Sequence, residues 1–259
     1  MQEIKTDITE KDIPAIEVKD LVAKYGERVI LDHISFTVPK GEIITVLGGS
    51  GCGKSTLLKH ITGLYTPFSG DILLDGRSIV YADEEEKRRI TRFFGVAYQG
   101  GALFRSFTVG ENVALPMEEY TRLSKEEIRE RVKEKLKMVN LDGFQDLMPS
   151  DLSGGMLKRC AFARAMALDP MILFFDEPSA GLDPVSSASL DELILQIREK
   201  THATILIVTH ELDSIFRVSD RSIMLDAKTK KIIADGKPAY LRDHCENPDV
   251  RMFLNRGKL

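Results

Sequence analysis

One run of residues concentrates more chemistry than any other in the chain: Gly48, Gly49, Ser50, Gly51, Cys52, Gly53, Lys54, Ser55 and Thr56. It reads G-x-x-x-x-G-K-S, and each residue type has a use. A polyphosphate needs many donors converging on a small volume. Glycines let the backbone curl so that successive N–H groups face inward as an anion nest. Lys54 adds a mobile positive charge for the outer phosphates, and the Ser55 hydroxyl is a ligand for Mg²⁺. The stretch from Thr56 to Ile61 reads as a helix, whose N-terminus brings roughly half a positive charge to the same phosphates.

Other candidates stand at strand ends. Asp176 and Glu177 follow the apolar run 171–175. Asp176 suits a magnesium ligand, directly or through water. Glu177 suits a base that polarises an attacking water, a role typically contributing about 10²–10⁴-fold. The alternative is that both acids cap the segment from Pro178. His210 ends the strand at 204–209, and Gln99 ends the one at 95–99. Both are placed to touch the γ-phosphate, the metal or the water, although position alone also allows a structural role. Leu152, Ser153, Gly154, Gly155 and Met156 open a helix running to Leu168. Ser153 is a good N-cap. The glycines behind it let an anion approach the helix start, or else merely soften that start.

These groups need a scaffold that gathers strand ends on one edge. Residues 171–175 and 204–208 are continuous apolar runs, as strands buried on both faces of a parallel sheet require. Between them, 185–200 reads as a helix with Leu190, Leu193, Ile194 and Ile197 inward. Residues 42–47 form the strand before the phosphate loop. Alternation over 16–22, a turn at 25–28 and an extended stretch at 29–38 give an antiparallel β region ahead of it. Residues 71–74 form a further short strand, and 83–94 is charged and helix-prone. From 103 to 168 strand signals vanish. Ser124 and Glu127 make a capping box there, followed by an apolar stripe of Ile128, Val132, Leu136 and Val139. Late strands fall at 221–225 and 231–234, and the lead-in 1–14 is polar.

Bulk properties narrow the classes. The chain has 259 residues and a formal net charge of −4, which argues against nucleic acid as the main partner. No apolar run approaches the roughly 20 residues needed to cross a bilayer, and no signal-peptide core is present at the N-terminus. A cytoplasmic protein is expected. Cys52, Cys160 and Cys245 are scattered with no metal spacing. Cys52 reads either as a small filler within the loop or as an oxidation-sensitive thiol.

Taken together, residues 16–236 resemble the nucleotide-binding subunits of ABC transporters. Gly48 to Thr56 matches Walker A, Gln99 the Q-loop, and Leu152 to Met156 the LSGGQ signature with Met in the last place. Ile172 to Glu177 matches Walker B with the catalytic glutamate, Ser179 to Pro184 the D-loop with Asp183, and His210 the switch histidine. Tyr25 falls where the family stacks an aromatic on adenine. The resemblance implies a P-loop NTPase fold of α/β class. A RecA-like parallel core would carry an N-terminal antiparallel β subdomain and an inserted helical subdomain at about 100–168. The ATPase domain would span 15–238, with a C-terminal extension at 239–259. It also implies ATP and Mg²⁺ as cofactors, with Ser55, Gln99 and Asp176 near the metal. Two copies would form a head-to-tail dimer, in which Ser153, Gly154 and Gly155 of one face the phosphate loop of the other.

Met156 and two segments, 100–104 and 111–116, are similar to the ATPase of Mla-type, Mce-associated phospholipid transport systems. That resemblance implies an integral permease, an Mce-domain protein and a STAS-domain regulator as partners, with the chain peripheral on the cytoplasmic face of the inner membrane. Leu103, Phe104, Phe107 and Val109 are expected either to dock the permease or to be subdomain core. The tail 250–254 is apolar, and either bridges to a neighbour or folds back. The rival readings are another transporter branch, for amino acids or lipoproteins, and a soluble ABC ATPase of DNA repair or translation. The latter usually carries two cassettes or a coiled-coil insertion, and this chain has neither. A nucleotide kinase would share the phosphate loop but has no use for residues 152–156.

Overall fold

The computed structural model describes residues 13–257. Most of the polar lead-in 1–14 therefore lies outside the described residues. The period-2 alternation becomes β1 (Ile16–Tyr25), which pairs antiparallel with β2 (Arg28–Val38) through a turn at Gly26 and Glu27. Next come β3 (Ile43–Leu47), buried at every position, and α1 (Lys54–Ile61). The chain then returns to the first sheet as β4 (Ser69–Leu74) and β5 (Arg77–Ser78), with β4 antiparallel to β1. Helix α2 (Glu84–Thr91) is capped by Asp83 and stops before the expected Phe94, because Phe94 opens β6 (Phe94–Ala97).

Helices then accumulate. Helix α3 (Val109–Tyr120) starts on a capping box between Thr108 and Glu111, and α4 (Lys125–Met138) on the expected one between Ser124 and Glu127. After a short 3₁₀ turn (Pro149–Asp151), α5 (Gly154–Ala165) ends earlier than the expected Leu168. The parallel-sheet pattern follows as β7 (Ile172–Asp176), α6 (Pro184–Thr201), β8 (Thr204–Val208), α7 (Leu212–Val218) and β9 (Arg221–Leu225). The chain closes with β10 (Ile232–Gly236), α8 (Pro238–His244) and α9 (Pro248–Leu254).

Two sheets result. One has the order β2-β1-β4-β5 and the other β10-β9-β3-β8-β7-β6, parallel from β9 to β6. The period-2 geometry of the apolar strands splits them between two cores. Ile44, Val46, Ile172, Phe174 and Leu206 face the antiparallel sheet and α1. Ile43, Leu173, Phe175, Ile205 and Ile207 face the helices, meeting Val113, Leu136, Phe162 and Leu193. Full burial of each such side chain contributes about 1.5–3 kcal/mol. Phe162 of α5 stacks on Phe175 of β7 at 4.1 Å, so α5 lies directly against the sheet. A Cβ on Gly95 would sit 1.8 Å from the Ala165 carbonyl oxygen, and only glycine allows β6 to approach α5 this closely.

A third, smaller core settles where the tail packs. Val250 and Leu254 of α9 are buried with Leu47, Ile215, Met224 and Leu241. The tail folds back on its own domain, leaving Met252 exposed. Among the described residues, no helix is long and apolar enough to cross a membrane.

Candidate active site

The phosphate loop lies between β3 and α1 and is shaped by left-handed glycines, with φ of +142° at Gly48 and +105° at Gly53. A Cβ on Gly48 would come within 2.5 Å of both Cys52 Sγ and the Leu225 carbonyl oxygen. A Cβ on Gly53 would come within 2.7 Å of Leu31 Cδ2, so β2 presses on the loop from the other side. Gly53 is the N-cap of α1 and has no side chain to occupy the helix start. Gly49, Ser50, Gly51 and Ser55 are exposed at the mouth, and Thr56 is half-buried behind them. Lys54 Nζ donates to the carbonyl oxygens of Gly48 (2.8 Å) and Gly49 (3.3 Å), spanning the mouth of the loop. Cys52 is buried, and burial pushes its thiol up despite the opposing charge of Lys54. It fills space under the loop and offers no reactive thiolate at neutral pH.

Parallel register brings the other groups to the same edge. Strand β3 runs beside β8, β8 beside β7 and β7 beside β6. Their carboxyl ends therefore set the loop, His210, Asp176, Glu177 and Gln99 side by side, where open α/β sheets bind ligands. Burial raises the Asp176 carboxyl, and Glu177 raises it further, while Lys59, Lys158 and Lys54 pull the other way. A half-buried acid in this environment suits a cation that would relieve it. The Glu177 N–H donates to the Val208 carbonyl (2.8 Å), and its φ is +47°, a strained value for a non-glycine residue. Its Oε1 lies 2.9 Å from His210 Nδ1, while Oε2 is buried and has no partner. That orphaned oxygen, the glycine cradle and the Lys54 ammonium together fit a magnesium–nucleotide.

The remaining expected residues are dispersed. Tyr25 is 49% exposed, with its ring edge-on to Tyr65 at 6.1 Å. Asp183 caps α6, accepting from the Val185 and Ser186 N–H groups at 3.0 Å each; the Ser186 hydroxyl first, then these N–H groups, lower its carboxyl. Ser153 caps α5, accepting from the Met156 N–H at 3.3 Å. Ser153 and Gly154 are exposed, so this chain does not itself cover that helix start. Met156 packs against the helical core, which accounts for an apolar residue there. Phe104 is 50% exposed and tilted against half-buried Phe107 at 5.4 Å, and Leu103 packs on the core. Val109 is buried at the start of α3, which for this residue favours the subdomain-core alternative.

Several residues escaped the sequence reading. Asn112 is buried and threads the 104–108 loop. Its amide nitrogen donates to the carbonyls of Phe104, Phe107 and Thr108, and its oxygen accepts from the Phe104 N–H. Lys158 and Arg164 of α5 are a buried and a half-buried cation that reach the loop after β6. Burial lowers the Lys158 ammonium, while Asp176 and Glu177 hold it up. The available signal was basic residues inside an otherwise apolar helix.

Comparison with known proteins agrees with this geometry. The ABC transporter family profile matches residues 31–180. The intermembrane phospholipid transport system ATP-binding protein MlaF of Haemophilus influenzae is 42% identical over 237 residues, covering 92% of this chain and 88% of that one. The Escherichia coli K12 protein of the same name is 38% identical over 240 residues, covering 93% and 88%. The probable ribonucleotide transport ATP-binding protein mkl of Mycobacterium leprae is 42% identical over 245 residues, covering 95% and 70%. Among solved structures, the dimeric post-hydrolysis cassette MJ0796 bound to ADP and Pi superposes with a TM-score of 0.77 at 32% identity. The match covers 86% of this chain and 98% of that one. The cassette cbiO1 of Clostridium perfringens gives 0.81 at 30% identity, covering 94% and 96%. With a P-loop NTPase fold, a glycine-built phosphate cradle and relatives matched over most of its length, the chain belongs to the ABC transporter ATP-binding family.

Proposed function

We propose that this chain is the ATP-hydrolysing subunit of an ABC transporter that moves phospholipid between two membranes. The carrying observation is the state of the Glu177 carboxylate. One oxygen is fixed by His210 at 2.9 Å, and the other is buried with no protein partner. A carboxylate oriented through one oxygen and unpaired at the other keeps an acceptor free for the proton of an attacking water. Lys54 and the N–H groups of Gly49 to Ser55 hold the phosphates, and Tyr25 packs on the base. Ser55, Asp176 and Gln99 hold Mg²⁺, which when bound offsets the charge of the transferred phosphoryl group.

Ser153 and Gly154 are exposed and Gly155 is half-buried at the start of α5, and in this reading a second copy's nucleotide covers them. Two chains then close on ATP as a two-fold dimer; the cassette MJ0796 is itself dimeric. An integral permease docks near Leu103, Phe104 and Phe107 and holds the pair on the cytoplasmic face of the inner membrane. A STAS-domain regulator and an Mce-domain protein complete the assembly. The phospholipid cargo is taken from the names of the MlaF relatives.

The test uses Glu177→Gln, which is expected to bind ATP, dimerise and fail to turn over. Mass spectrometry of the partners and lipids that co-purify with it from detergent-solubilised membranes then identifies permease and cargo. Normal hydrolysis by this variant would remove Glu177 as the base. A ribonucleotide in place of phospholipid would instead favour the cargo named for the mkl relative.

A further inference from the structure

Two non-glycine residues beside the site hold left-handed backbone, Glu177 with φ of +47° and Ala102 with φ of +48°. Such residues cost about 1–3 kcal/mol each and persist only where their surroundings hold them. Both carbonyl oxygens accept from cations of one helix, α5. Arg164 donates to Ala102 (2.7 Å) and to Gly101 (2.8 Å). Lys158 Nζ donates to the Glu177 carbonyl at 3.3 Å and also to the Gln99 carbonyl. Lys158 is only 8% exposed. A buried ammonium is costly unless its protons are satisfied, and here two of its three protons meet the backbone carbonyls of Gln99 and Glu177, the residues proposed to flank the reacting phosphate.

We infer that Lys158 is a positioning residue for hydrolysis, clamping the backbones of Gln99 and Glu177 in one geometry and tying both to the helix whose N-terminus carries Ser153. This rests on the roles proposed above for Glu177 and Gln99. The Lys158 ammonium is directed to these two carbonyls and acts through the residues it holds. Its removal frees the Glu177 backbone to leave the left-handed conformation, and the carboxylate then drifts from its place beside His210. Misplacement of a catalytic group by about 1 Å can cost on the order of 100-fold in rate. Because α5 begins at Ser153, the clamp also joins the surface offered to a second copy's nucleotide to the groups acting on this chain's own.

The test compares Lys158→Met, Lys158→Gln and Lys158→Arg with wild type. The Met variant is expected to lose about 10- to 100-fold in kcat, with KM and the Kd for a fluorescent ATP analogue unchanged. Arginine, with several donors for two carbonyls, recovers most of that loss, and Gln falls between. Hydrogen exchange on nucleotide-free protein gives a readout independent of turnover. Peptides covering 97–102 and 176–181 exchange faster in the Met variant, while those from β2 do not. If the Met variant does not fold, the Gln variant is read in its place. Wild-type kcat with unchanged exchange overturns the proposal, as does a loss in kcat that is matched in Kd or is not recovered by arginine. Glu177→Gln is run alongside: if it turns over normally the reading of Glu177 has failed, and if it is inactive while Lys158→Met is normal only the clamp has.

Discussion

Asn112→Ala tests how the loop carrying Phe104 is held. The Asn112 amide has two protons facing three carbonyls, those of Phe104, Phe107 and Thr108, and its oxygen takes the Phe104 N–H at 2.8 Å. At most three bonds therefore form at once, each with a net value of about 0.5–1.5 kcal/mol, and truncation strands backbone groups as well. The expected loss is about 2–4 kcal/mol, which in a domain of this size lowers Tm by roughly 5–15 °C. Asn112→Asp should be worse, because its carboxylate turns acceptors toward three carbonyl oxygens. Differential scanning calorimetry reads the stability. Co-purification reads the proposed permease docking, which Asn112→Ala should weaken, as should a charge placed at Phe104 by Phe104→Glu, while ATP binding by the free subunit survives. A Tm within about 2 °C of wild type, with the permease retained, would refute the argument that this amide organises the loop.

Three further outcomes are expected. Lys54→Ala should raise the Kd for a fluorescent ATP analogue by at least tenfold, about 1.4 kcal/mol, with little change in Tm, because its bonds close the loop mouth and bear no core. Leu254→Ala removes a side chain buried between α9 and the sheet and should cost about 2–5 kcal/mol in chemical denaturation, whereas Met252→Ala, on the exposed side, should be near neutral. A thiol reagent at pH 8 should label Cys245 and spare Cys52 and Cys160 until denaturant is added. Burial pushes the Cys160 thiol up to about 11 from an ordinary 9.0. A raised folded-state pKa leaves stability intact below 9.0 and loses it as pH climbs toward 11. Wild type should therefore lose up to about 3 kcal/mol relative to Cys160→Ala over that window.

The phosphate loop, the buried parallel strands and the capping box at Ser124 are legible in the sequence because each rests on local pattern. Helix α3 is not. Pro116 sits inside it and withdraws the N–H that would meet the Asn112 carbonyl, so the stretch reads as broken. Tertiary packing of Val109, Val113 and Met117 overrides that local cost. The grip of Lys158 and Arg164 on distant carbonyls is equally invisible. Its partners lie up to 63 residues away and are backbone atoms that no residue type announces. The edge that collects Gln99, Asp176, Glu177 and His210 is legible in outline, since each follows an apolar run. Their order across the sheet is set by crossovers that periodicity does not encode.

The phosphate loop is braced from two directions, Gly48 against the Leu225 carbonyl of one sheet and Gly53 against Leu31 of the other. A loop wedged in this way has already lost most of its conformational freedom when the polypeptide folds. Phosphate then meets a preorganised receptor and imposes little ordering cost of its own. The antiparallel sheet, which supplies none of the proposed catalytic groups, is on this view an investment in affinity. Loosening its grip at Leu31 would weaken nucleotide capture without altering a single donor.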